Sequence, residues 1–114
     1  VYETVLTAQL SALDAVKAGM SGKALDKIAR DIITEAGYGD NFGHSLGHGV
    51  GVEIHESPYA SPSREDILPE NSIVTVEPGI YLEGKFGVRI EDFVVVTENG
   101  CINMTKAPKE LICL

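Results

Sequence analysis

Along the first eighteen residues, Tyr2, Val5, Leu6, Leu10, Leu13 and Val16 recur at three- and four-residue steps, with Gln9 among them. That spacing stacks them on one face of an amphipathic helix over 1–18, which Gly19 is placed to stop. Ser21 can cap a second helix, with Leu25, Ile28, Ala29, Ile32 and Ile33 on one face, ending at Gly37. So short a turn between them sets the two helices antiparallel or nearly so. From Gly37 onward the texture changes. Glycine and proline become frequent and β-branched residues gather in short runs, which predicts strands at 50–55, 72–77, 87–97 and 110–114. Residues 56–71, with three prolines, read as a polar loop, and 98–100 as a hairpin turn. Two helices followed by strands predict an α+β domain, the helices packed on one face of an antiparallel sheet.

With 114 residues the chain holds one small domain, 1–114. Its net charge of −8 disfavours nucleic acid as a partner, because phosphate binding wants a basic face. A cation, or a substrate with a positive N-terminus, fits better. Cys101 and Cys113 sit in no metal-type spacing and are too few for a disulfide scaffold, so they read as free thiols in a reducing cytoplasm. No apolar run reaches the length of about 20 residues that a membrane span requires, and no signal peptide opens the chain. The chain opens on Val1 directly in helical spacing, which suggests a piece of a longer protein.

Three stretches carry candidate chemistry. The first is GHSLGHGVGVEIHE, residues 43–56, with His44, His48 and His55. His44 and His48 are four apart, a ligand spacing on a helix. Four glycines surround them, however, and each would cost a helix about 1 kcal/mol relative to alanine. The stretch therefore reads as a loop feeding a strand, its backbone passing close to something. Strand alternation there sets Val52 and Ile54 opposite Glu53 and His55. The second is IVTVEPGIY, residues 73–81. Glu77 ends an apolar strand, and a carboxylate buried there wants a cation or a proton. The third is GVRIEDFVVV, residues 87–96. Arg89 and Glu91 share a strand face and Asp92 takes the opposite one, making it the weaker candidate. An Arg and a Glu so placed also form a plain ion pair. Imidazole plus carboxylates make a hard N/O donor set suited to Mn²⁺, Co²⁺, Fe²⁺ or Zn²⁺. Carboxylates can bridge two such ions in a hydrolase.

The ordered motifs HSLGHGVGVEIHE, VEPGIY, GVRIED and the tail TKAPKELICL resemble the C-terminal part of a pita-bread metallopeptidase, in the Xaa-Pro aminopeptidase and Xaa-Pro dipeptidase (prolidase) branch. The resemblance covers essentially the whole chain and implies the second half of a pita-bread fold. It implies a dinuclear site, with Mn²⁺ foremost and Co²⁺, Zn²⁺ or Fe²⁺ as alternatives, in an exopeptidase acting on Xaa-Pro peptides. On that resemblance His48 is a metal ligand. Glu77 is a ligand and the general base, and Glu91 bridges both metals. His55 contacts the substrate and helps stabilise the tetrahedral intermediate. Arg89 supports the site from behind the ligands, and His44 lines the substrate pocket. Two further aspartate ligands of the family lie on strands ahead of the helix that opens this chain. Asp14, Asp26 and Asp31 match no such motif and receive no role. Three ligands of five imply a fragment that is inactive alone, with a homo-oligomer possible. The alternatives are a metal-free pita-bread module that binds peptides, a methionine-aminopeptidase-like enzyme, or a small domain with a buried His–Glu–Arg network and no activity.

Overall fold

The computed structural model describes residues 1–51 and 56–111. Helix α1 runs Tyr2–Ala15 and buries Val5, Ala8, Gln9 and Ala12. It stops short of the expected residue 18 because Val16 turns extended. The chain beyond is captured elsewhere: the Ala18 amide donates to the Thr97 carbonyl and the Gly19 amide to that of Leu68, each at 2.9 Å. Ser21 caps α2, Gly22–Glu35, its hydroxyl accepting from the Ala24 amide at 3.0 Å. Leu25, Asp26, Ala29 and Ile33 face inward from α2, and Gly37 follows the helix at φ +93°. The two helices pack on each other.

Seven strands follow among the described residues: β1 Gly47–Gly49, β2 Glu56–Ala60, β3 Ile73–Val76, β4 Gly79–Leu82, β5 Phe86–Arg89, β6 Asp92–Val96 and β7 Cys101–Asn103. The main sheet has the order β2-β1-β3-β6-β7, with every described pairing antiparallel. Strands β4 and β5 form a separate hairpin. Val74, Val76, Val94 and Val96 join Val5, Ala12, Leu25, Ala29 and Ile33 in one core cluster. Each valine, leucine or isoleucine among them contributes roughly 1.5–3 kcal/mol by burial. Gln9 is fully buried among them, and neither side-chain amide atom has a hydrogen-bond partner among the described residues. No helix among the described residues is long and apolar enough to cross a membrane.

The α+β layering is as expected, but the strand boundaries need correction. The run 87–97 is two strands, because the β4–β5 hairpin closes at its base where the Ile90 amide donates to the Pro78 carbonyl at 3.3 Å. The expected loop 56–71 contains β2, which pairs with β1 across an irregularity between His48 and Gly49. The expected strand 110–114 is absent at Glu110 and Leu111, and its last three residues lie outside the described ones. The closing strand is β7 instead, because the 98–100 turn sets Cys101 directly opposite Val96.

Candidate active site

Two glycine-rich turns and a strand end converge on one face of the sheet. A Cβ on Gly47 would lie 1.8 Å from the Thr75 carbonyl oxygen, so only glycine permits β1 to lie this close to β3. That approach lets the His48 amide donate to the Thr75 hydroxyl at 3.1 Å. His48 Nδ1 is 2.9 Å from the Gly49 carbonyl. A carbonyl only accepts, so Nδ1 carries a hydrogen and, in the neutral ring that a metal would bind, Nε2 carries the lone pair. Nε2 lies 3.4 Å from Glu77 Oε1. A backbone carbonyl fixing the imidazole by one nitrogen and presenting the other is how metal-ligating histidines are usually held.

Glu77 leaves the end of β3 with its amide donating to the Leu46 carbonyl at 2.7 Å. Its side chain is mostly buried, and its pKa is pushed up to about 7. Burial is the main cause, followed by a hydrogen bond with Glu91 and the charge of Glu91, while Arg89 opposes the shift. Arg89 also stands 3.7 Å from Glu91. Its own pKa is raised further, first by a hydrogen bond with Tyr81.

His44 faces Glu77 from another wall of the same cavity. Its Nδ1 donates to the Ser45 carbonyl at 2.8 Å, which leaves Nε2 to accept from the Tyr81 hydroxyl, also at 2.8 Å. The Phe42 ring meets the imidazole edge-on at 5.2 Å between centroids. His44, Ser45, Gly47, His48, Tyr59, Glu77 and Arg89 line a cavity of about 370 Å³, room on the scale of a small ligand.

Five of the six expected site residues thus gather: His44, His48, Glu77 and Arg89 around the cavity, and Glu91 against Glu77. His55 lies outside the described residues. Asp92, the weaker candidate, is buried and accepts from Asn103 at 2.7 Å and from Lys109, a structural use of its carboxylate. Sequence reasoning missed Tyr59 and Tyr81. Tyr81 was findable: Glu83-Gly84-Lys85 signals a tight turn, which folds Tyr81 across from Gly87 and beside Arg89. Tyr59 sat in a stretch read as loop, so nothing placed it opposite His48.

The donor chemistry suits a divalent cation. A carboxyl pair pressed together and partly desolvated, with an imidazole lone pair alongside, is short of positive charge. Among the described residues, however, no three His, Cys, Asp or Glu side chains close on a common point as one ion's shell would need.

Comparison with known proteins agrees with the geometry. The chain is 56% identical over 112 residues to an Xaa-Pro dipeptidase of Pyrococcus furiosus, covering 98% of this chain and 32% of that protein. It superposes on the structure of an Xaa-Pro dipeptidase from Bacillus anthracis with a TM-score of 0.97 and 52% identity, covering all of this chain and 32% of the other. An X-Pro aminopeptidase from Thermotoga maritima gives 0.93 at 56% identity, over 96% of this chain and 31% of the other. The chain therefore spans about a third of the length of the relatives it matches. Its two helices and antiparallel sheet are those of their pita-bread fold. The profile of metallopeptidase family M24 matches residues 1–98 with the histidine loop, Glu77 and Glu91 all inside the match, and the chain belongs to that family.

Proposed function

We propose that the chain is the C-terminal portion of the catalytic domain of an exopeptidase that hydrolyses the peptide bond before proline. The observation that carries this is the Glu77–Glu91 carboxyl pair, with Glu77 raised to about 7 and His48 Nε2 3.4 Å away, in a cavity walled by His44. The Xaa-Pro names of the relatives support the substrate class.

His48, Glu77 and Glu91 would hold divalent metal, Mn²⁺ foremost and Co²⁺, Zn²⁺ or Fe²⁺ otherwise, which when bound supplies Lewis acidity and a water of lowered pKa. The chain's own residues do the rest. Glu77 takes a proton from the attacking water and passes it to the departing proline nitrogen. Arg89 steadies Glu91. The His44–Tyr81 wall seats the substrate, and the sequence resemblance gives His55 the developing oxyanion. Two further aspartate ligands come from outside these 114 residues, so the chain alone is inactive. A cytoplasmic site is part of the same reading. So is assembly with further copies.

The test compares the whole protein, its Glu77→Ala and Glu91→Ala variants, and the 114-residue chain, each with Mn²⁺ and an Xaa-Pro dipeptide. Hydrolysis by the whole protein, a loss of at least a thousandfold with matching loss of bound metal in either variant, and no turnover by the chain are expected. Turnover by the chain alone overturns its dependence on outside ligands. Dipeptide binding without metal or hydrolysis in the whole protein would instead make it a peptide-binding module.

A further inference from the structure

We infer that Asp26 and Arg30 on α2 are positioning residues that set the His44–Tyr81 wall of the cavity and the main chain of Glu77. Asp26 is fully buried, an unusual place for a carboxylate, and it is met by a two-pronged partner. Arg30 Nε donates to Oδ1 at 2.7 Å and one terminal nitrogen to Oδ2 at 3.1 Å. The pair does not end in itself. The same terminal nitrogen donates to the His44 carbonyl at 2.9 Å, and the other donates to the Phe42 carbonyl at 2.9 Å. Asp26 Oδ2 accepts from the Leu46 amide at 3.0 Å.

Alternate main-chain groups of the histidine loop, at 42, 44 and 46, are thus held by one rigid fork and its counter-ion. A lysine, with one point charge on a flexible stem, cannot reproduce that span. Two routes lead from the fork to the site. In the first, the Arg30 guanidinium lies 4.1 Å over the Phe42 ring, Phe42 meets the His44 imidazole edge-on, and His44 accepts from Tyr81. In the second, Leu46 donates to Asp26 and accepts from the Glu77 amide, so one residue separates the buried ion pair from a site carboxylate. Lys27–Asp31, one residue further along the same helix, is exposed and among the described residues bonds to nothing in the loop.

Histidine side-chain nitrogen NMR of the 114-residue chain tests this without any activity. Wild type should show His44 with its hydrogen on Nδ1, assigned by loss of its signals in His44→Gln. Arg30→Lys should leave the chain folded but move His44 to a mixture of tautomers, with Lys27→Ala unchanged. Should Arg30→Lys not fold, Phe42→Leu decides alone. It keeps both carbonyl contacts, removes the ring between guanidinium and imidazole, and should shift His44 likewise. His44 signals identical to wild type in the folded variants would overturn the inference, because a merely stabilising pair lowers the melting temperature without moving them.

A kinetic arm rests on the proposed function. In the whole protein, Arg30→Lys should lower kcat/KM for an Xaa-Pro dipeptide at least tenfold, chiefly through KM, and a kcat/KM equal to wild type would overturn the link to the substrate wall. A wild-type protein without such activity refutes the proposed function, and the NMR arm still decides the positioning role.

Discussion

Glu77 illustrates how an acidic side chain is made useful by being denied its ordinary partners. In water its carboxyl would titrate near 4.5; here burial and Glu91 raise it to about 7. The folded, metal-free chain therefore holds a proton that the unfolded chain has released across that interval. By linkage, the contribution of Glu77 to stability falls as pH rises from about 4.5 to about 7, the reverse of the usual behaviour of a paired carboxylate. Urea unfolding midpoints of the metal-free chain should decline over that window, and Glu77→Gln should flatten the decline. An unchanged slope in the variant would show that Glu77 is not the group responsible. At this scale much was readable in the sequence. An apolar strand ending in Glu-Pro-Gly announced a carboxylate in an awkward place, and three histidines among glycines announced a close approach. Asp26 was not readable. A helical aspartate four residues before an arginine looks like any surface pair, and only the tertiary fold shows that this one is buried and turned toward a loop.

Among the elements, β1 is the most constrained. Its three residues are buried and wedged between β2 and β3. Gly47→Ala would drive a methyl group into the Thr75 main chain, which has no room to yield. We expect a loss of about 3 kcal/mol or more, beyond ordinary overpacking because backbone is struck. Thermal unfolding would report it, and a melting temperature within a degree of wild type would contradict the close packing. The element pattern also explains which parts of the fold were legible. Helix α2 carries a serine cap and both helices a three-to-four periodicity, signals local to the sequence, though Leu10 of α1 ends up exposed. The strands here are three to five residues long, too short for alternation to assert itself. Residues 87–97 read as one run because β-branched and aromatic residues continue through the break, although their alternation changes phase between Ile90 and Phe93. What splits them is a contact with Pro78, invisible to any local reading.

On the whole molecule, one sheet face is closed by helices and the other is not. Phe93, Ile102 and Met104 are 40%, 60% and 52% exposed; Ile102 lies on β7 opposite Val95 of β6, and Met104, just past β7, donates its amide to the Phe93 carbonyl. Among the described residues β7 is also an edge strand. An exposed apolar patch beside an unpaired edge favours association, while a net charge of −8 opposes it. Sedimentation of the chain alone should show self-association that strengthens as salt screens the charge, and Ile102→Lys should return it to monomer. A monomer at high salt would mean that the face is adequately solvated.

Leu46 gives the molecule a particular kind of vulnerability. Its N–H answers to the helical layer and its C=O to the strand end that bears Glu77. Any local opening that lifts the start of α2 off the loop also releases the Glu77 amide, so the two amides share one route to hydrogen exchange. Fidelity of the site is then tied to how often a helix on the opposite face breathes. Substitutions far from the cavity can blunt it by raising that frequency, without altering a single atom that lines it.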